Sequence, residues 1–313
     1  MSITSSLWRF FAVASLPRVA AGFINNQLIL LSLSRRRGRY TIDKIAHTSL
    51  PKALLNPDFS VPNIAEVSSL AVLIKQATER AGLKWQTRWS VALPEATVRS
   101  LIVNLETKPS DKDELINMLS WKIERIVGVP TSRLQVVQQK IGGGNNPRYL
   151  VTVAEKAVLN EYDAVFQQLG WHVGFMAPRH IGEANWLTHL NVPGDKLLVS
   201  YNEGGFVALV MRGTDPLVIR SHNCLLDERD NELYRLATYY REKLRPEANV
   251  PLTVLVLGEA AERQLTEITF NDALQDRPFR FVNTSDLALD ISDPQVSFSE
   301  VASVAGLAAL AYN

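Results

Sequence analysis

Few stretches of this chain carry residues able to do chemistry. Asn202-Glu203-Gly204-Gly205 sets a carboxylate and two glycines between two predicted strands. Such a turn can bring backbone N–H groups against a phosphate, and it can equally be an ordinary hairpin turn. Gly142-Gly143-Gly144-Asn145-Asn146 is richer in glycine, but a strand follows it and no Lys-Ser/Thr pair accompanies it. A phosphate loop needs a helix N-terminus behind it, so this spacing predicts a hairpin turn. Arg35-Arg36-Arg37-Gly38-Arg39 is the densest run of charge. It could meet phosphate on lipid or nucleic acid, or be a solvated turn. Asp227, Glu228, Asp230 and Glu232 crowd a predicted helix start, where the helix dipole favours carboxylates without any metal.

Other chemistries find little support. The five histidines, His47, His172, His180, His189 and His222, show no metal-ligand spacing. Cys224 is the only cysteine and has no sequence-evident base. There is no Gly-x-Ser-x-Gly elbow. Lys and Arg number 33 and Asp and Glu 32, leaving a net charge of +1. That balance argues against a dedicated polyanion binder, so no nucleic-acid partner is expected. One cysteine in 313 residues excludes a disulfide framework and fits a reducing compartment. The aromatic stretch Leu7-Trp8-Arg9-Phe10-Phe11 lacks a basic region before its apolar run, and Pro17-Arg18 closes that run. It reads as a segment docked on the core or lying in a membrane interface, rather than as a cleaved leader.

The elements that must position these residues follow from periodicity. Residues 18–24, 28–34 and 40–47 read as an antiparallel meander, with Asn25-Asn26 and the basic run as its turns. A helix capped by Asn63 is expected to run to Arg80, and strands at 88–93 and 98–105. A helix from about Ser110 to Gly128, a hairpin of 134–141 with 148–154, and a helix at 156–169 come next. After Asn191-Val192-Pro193-Gly194-Asp195, strands at 196–201, 206–211 and 217–222 repeat the opening meander. A long helix from Asp227, a strand at 252–257, a helix from Ala260, a strand near 278–282 and a buried closing helix at 301–312 complete the chain. Two α/β lobes of similar design are predicted, an architecture that usually holds a cleft between its halves.

The ordered set of segments resembles the PilM-type proteins of type IV pilus machines. These belong to the actin-like ATPase superfamily with FtsA and the cytoplasmic part of type II secretion L-type proteins. The resemblance rests on the following stretches. Leu28 to Ser34 followed by Gly38-Arg39-Tyr40 is similar to the family's first hairpin. Ala81-Gly82-Leu83 with Val91-Ala92-Leu93-Pro94 is similar to its helix-to-strand passage. Asp113-Glu114-Leu115 leading to Trp121-Lys122-Ile123-Glu124 resembles its inserted subdomain. Val151-Thr152-Val153-Ala154-Glu155-Lys156 with Leu169-Gly170-Trp171, and the closing Val304-Ala305-Gly306-Leu307-Ala308, complete the set. The resemblance implies an α/β, actin-like, two-lobed fold with a small α+β subdomain inserted in the first lobe. The first lobe would cover residues 1–192 with the insert at about 95–169, the second 193–300, and the closing helix 301–313.

Departures from the family pattern bear on function. The family's first hairpin carries an Asp-x-Gly turn and a following Lys, which engage phosphate and metal. This chain has Gly22-Phe23-Ile24-Asn25-Asn26-Gln27 there, Ile29 near the Lys position, and no acid between Ala12 and Tyr40. At the second phosphate turn, Asn202-Glu203-Gly204-Gly205 keeps glycines without the Asp, and the adenosine-side Gly-Gly is reduced to Gly258-Glu259. The segment 171–182 contains no acid. Mg²⁺ on a triphosphate needs carboxylate oxygens, and phosphoryl transfer needs charge neutralisation and a positioned nucleophile.

The resemblance therefore implies a silent nucleotide cleft at Asn25, Asn26, Asn202, Glu203, Gly204, Gly205 and Gly258. Neither a catalytic residue nor a metal is expected, and weak ATP binding would survive only through Glu203. It implies a non-catalytic cytoplasmic scaffold, peripheral to the inner membrane, that binds the cytoplasmic peptide of a PilN-like membrane protein near the insert. Self-association and direct membrane contact stay open. The alternative is an active actin-like ATPase or small-molecule kinase with an atypical phosphate site. An FtsA-like filament former is a third reading.

Overall fold

The computed structural model describes residues 16–142, 146–244 and 249–313. The aromatic stretch at 7–11 and the centre of the Gly142–Asn146 turn lie outside them. The opening meander is β1 (Val19–Ile24), β2 (Gln27–Arg36) and β3 (Arg39–Ser49). Strand β1 also pairs in parallel with β4 (Arg88–Leu93), which pairs in parallel with β8 (His172–Pro178). Every residue of β1 is buried, as a central strand covered on both faces must be. Its side chains alternate between two cores. Ala20 and Ile24 face one side, and Val19, Ala21 and Phe23 face α1 (Val67–Arg80) and α3 (Lys156–Gln168) on the other.

The second sheet has the order β11-β10-β9-β12-β13, with β9 (Asp195–Asn202), β10 (Gly205–Arg212), β11 (Asp215–Asn223), β12 (Leu252–Leu257) and β13 (Phe279–Phe281). It repeats the first sheet's plan: an antiparallel meander, then a parallel strand beside its first member. Its outer face packs on α5 (Arg229–Tyr239) and α6 (Ala260–Leu274). The insert is a three-stranded sheet of β5 (Arg99–Asn104), β7 (Arg148–Glu155) and β6 (Leu134–Ile141), covered by α2 (Lys112–Val127). Asp111 caps α2 by accepting from the Glu114 N–H at 2.8 Å, and Gly128 ends it in the left-handed conformation. The insert leans on the second lobe: β5 packs along β11, and Arg148 donates to the Leu217 carbonyl at 3.0 Å.

Two features differ from the sequence expectation. Asn63 does not cap α1, which begins four residues later at Val67. Its buried amide instead holds the preceding loop, donating to the carbonyls of Asp58 and Val61 and accepting from Tyr162 Oη. The two-residue β14 (Leu289–Asp290), not foreseen, pairs with β3, so the chain returns to the first sheet before residue 300.

The central contact between the lobes is a helix pair. Helix α4 (Arg179–Thr188) leads from β8 to the second lobe, and α7 (Phe298–Ala309) returns to lie under β1, β2 and β4. They cross at two glycines. A Cβ on Gly306 would overlap the Gly182 carbonyl, and one on Gly182 the Ser303 carbonyl. Trp186 Nε1 donates to the Ala302 carbonyl at 2.7 Å, and Asn185 Nδ2 to that of Gly306 at 3.2 Å. Lys196, itself buried, donates to the carbonyls of Leu187 and Leu190 and so closes the end of α4. One apolar core runs through this crossing and joins both sheets, from Ile29 and Leu31 to Leu198, Leu209 and Leu255. No helix among the described residues is long and apolar enough to cross a membrane.

Gly306→Ala is expected to lower stability by about 3 kcal/mol or more in urea unfolding, because the clash is with backbone and not with a yielding side chain. His189, packed against Tyr40 and Trp186, gives a pH test. Burial first, then the charges of Arg35 and Lys196, hold its pKa below the ordinary imidazole value. The unfolded chain then takes up the proton first, so this contribution is intact above about pH 6.5 and is lost as pH falls below it. Urea midpoints at neutral and mildly acidic pH should show a shallower decline in His189→Phe than in the parent.

Candidate functional site in the interlobe cleft

A polar cleft of about 430 Å³ opens between the lobes. Its walls are the β1–β2 turn, the segment from Lys52 to Pro57, the residues after β4, the start of α4, the β9–β10 turn and the end of β11. Asn25, Asn26, Asn202, Glu203 and Gly204 all line it. The two meanders thus bring five of the seven sequence-nominated residues together. Gly205 and Gly258 are not among the lining residues.

The turns look inward for their hydrogen bonds. Asn25 and Asn26 both have positive φ, 46° and 57°, which asparagine tolerates and two-residue hairpins require. Asn26 Nδ2 donates to the Leu50 carbonyl at 3.0 Å, while the Leu50 N–H donates to the Asn26 carbonyl at 2.9 Å. In the second turn, Asn202 Oδ1 accepts from the Gly204 N–H at 3.0 Å, and the Gly204 carbonyl accepts from the Cys224 N–H at 3.1 Å. Gly205 has φ 141°, and a Cβ there would overlap the His222 carbonyl. Packing of β10 on β11 therefore accounts for this glycine without a ligand. Glu203 is exposed on the rim and supplies the only carboxylate of the two turns.

The Gly258 side is filled by protein. Glu262 occupies the space a Cβ would take, accepts from the Glu259 N–H at 2.9 Å, and pairs with Arg229 at 2.5 Å. Arg229, 5% exposed, also donates to the Asn202 carbonyl at 2.8 Å and lies over the Tyr201 ring. An ion pair thus bridges the start of α6 to the second turn.

Glu95 and Arg179, which the sequence did not nominate, also line the cleft, and each is paired beneath it. Arg179 Nε donates to Glu183 at 2.8 Å and its Nη2 to Ser200 Oγ at 3.1 Å. His180 Nδ1 lies 2.7 Å from Glu95 Oε2. All five side chains are buried. Lys52, Ser221 and Asn223 line the walls. Two signals were available: Glu95 directly follows the Val91-Ala92-Leu93-Pro94 passage, and Arg179 and Glu183 are one helical turn apart. No cluster of three metal-ligating side chains exists among the described residues. Burial pushes the Cys224 thiol up from its ordinary pKa, against thiolate chemistry. The walls can therefore hold a small polar molecule by hydrogen bonds and by the exposed Lys52 charge. Breaking a buried pair strands its partner's charge, so Arg179→Ala should cost about 3–5 kcal/mol in urea unfolding. Glu203→Ala, on the exposed rim, should change stability by less than about 0.5 kcal/mol.

No protein-family model matches the sequence, and no curated protein matches it. Solved structures do. A chain of the PilM-PilN type IV pilus biogenesis complex superposes with a TM-score of 0.73 at 17% identity, covering 96% of this chain and 100% of that one. A Bacteroides thetaiotaomicron protein of unknown function with an actin-like ATPase fold matches at TM-score 0.50 and 10% identity, over 94% and 97% of the two chains. The cytoplasmic domain of EpsL, an inner-membrane component of the Vibrio cholerae type II secretion system, reaches 0.49 at 11% identity, over 94% of each chain, a likeness too loose to argue from. At such identities superposition speaks to architecture: the chain has the actin-like ATPase fold, in the arrangement seen in the PilM-PilN structure.

Proposed function

We propose that this chain is a non-catalytic scaffold of a type IV pilus or related secretion machine. On this reading it is cytoplasmic and is held at the inner membrane by the cytoplasmic peptide of a PilN-like protein. The state of the cleft carries the reading. In its turns the Asn26 amide and the Gly204 N–H are already paired, the first turn has no carboxylate, and the Arg229–Glu262 pair fills the space beside Gly258. Donors already paired inside a turn gain little from a phosphate. Mg²⁺ would find one carboxylate on the turns, that of Glu203, at the low end of the one or two that nucleotide sites give it. The likeness to a PilM-PilN complex supports the choice of machine and partner class. The insert offers apolar surface for a peptide: Trp121 is 59% exposed, Ile126 58% and Val137 44%.

An enzymatic reading survives on one observation, the Glu203 carboxylate at the cleft rim. The purified chain should hydrolyse Mg-ATP no faster than a buffer blank. It should bind the cytoplasmic N-terminal peptide of a PilN-like protein from the same genome, and Trp121→Ala should weaken that binding about tenfold or more. Turnover that vanishes in Glu203→Ala would instead establish the ATPase or kinase.

A further inference from the structure

The basic run at Arg35–Arg39 plays no part in the cleft. Strand β1 ends at the cleft and β2 runs away from it, so the β2–β3 hairpin lies at the far end of the first sheet. Because β4 and β8 run parallel to β1, their starting residues lie at that end too. The edge farthest from the cleft therefore gathers Arg36 and Arg37 from the hairpin, Arg18 before β1, Arg88 at the start of β4, and Lys84-Trp85 from the loop before it. Four neighbouring strands at a spacing of about 4.8 Å put these groups along a rim on the order of 15–20 Å long.

The charges there are unequal in their commitments. Arg39 is paired with Asp290 at 2.5 Å, and Arg35 donates to the Tyr312 carbonyl at 3.0 Å. Arg36 and Arg37 are exposed, and neither side chain has a hydrogen bond or ion pair among the described residues. The first 42 residues hold six Arg and no Asp or Glu, whereas the whole chain has a net charge of +1. The rest of the molecule is thus net acidic, and the five of these arginines among the described residues, Arg18, Arg35, Arg36, Arg37 and Arg39, belong to the end of the first sheet away from the cleft. Beside it Trp85 is 85% exposed, with Lys84 Nζ 5.1 Å from its ring centre.

Unpaired cations alone would suit any polyanion. Cations together with a protruding indole suit a surface that is anionic outside and apolar just beneath. A lipid headgroup layer is such a surface: Lys and Arg meet its phosphates while Trp and Phe settle at the acyl boundary. We propose that this edge docks on an anionic phospholipid bilayer, with Arg36, Arg37 and Trp85 as its principal contacts. The cleft and the insert then face away from the lipid or lie beside it. The inference does not depend on the peptide partner, since the lipid contact belongs to this chain alone.

The test is flotation of the purified full chain with phosphatidylcholine vesicles and with vesicles rich in phosphatidylglycerol. Binding is expected to the anionic vesicles only, and to be lost near about 1 M salt, where screening shortens to about 3 Å. Neutralising Arg36 and Arg37 together as Gln should weaken partitioning roughly thirtyfold. Trp85→Ala should weaken it while leaving the thermal midpoint unchanged, which separates contact from folding. Equal binding to neutral vesicles would overturn the proposal. So would full binding by the Arg36/Arg37 variant, or a preference for duplex DNA over anionic vesicles at matched salt.

Discussion

The closeness of α4 and α7 is the constraint on which the rest of the structure depends. Gly182 and Gly306 let the two backbones pass at a distance that no β-carbon permits. That approach brings Trp186 within hydrogen-bonding reach of the Ala302 carbonyl and allows one apolar core to run from the first sheet to the second. Close packing is unforgiving of small changes in volume, so the crossing fixes the separation of the lobes. The separation in turn fixes how near the β1–β2 and β9–β10 turns stand across the cleft.

Within that frame the cleft trades one kind of electrostatics for another. A nucleotide site keeps donors and charges uncommitted until a ligand arrives. Here Arg179 is committed to Glu183 and Ser200, His180 to Glu95, and Arg229 to Glu262. Buried pairs of this kind are costly to separate, and they make the cleft a structural element in its own right. Lys52 and Glu203 remain on its exposed wall, where solvent weakens any pull they exert.

Local periodicity made most of the fold legible in the sequence. The two meanders and the helix opening near Ser110 follow from residue type and spacing alone, and the order of the elements pointed to a two-lobed fold. What escaped was non-local. Asn63 carries a capping residue's side chain, but Tyr162 and the loop at 58–61 claim it. Strand β14 is two residues long and exists only because β3 offers it an edge. In the cleft, Asn25, Asn26, Asn202, Glu203 and Gly204 were recognisable as turn residues. The pairing of Glu95 with His180 was not, because 85 residues separate them in the chain. Gly205 and Gly258 look like ligand glycines in sequence, yet each is accounted for by a neighbour: the His222 carbonyl for one, Glu262 for the other.

The contact between the insert and the second lobe has a mechanical meaning. Two lobes joined on one side by a helix crossing would ordinarily swing about it, as a book opens on its spine. Here a second contact adds to that joint: β5 lies along β11, and Arg148 reaches the Leu217 carbonyl. Opening the cleft then requires the insert to part from β11 as well as the crossing to flex. Whatever enters the cleft must fit its resting width, and a partner that grips the insert also holds the latch.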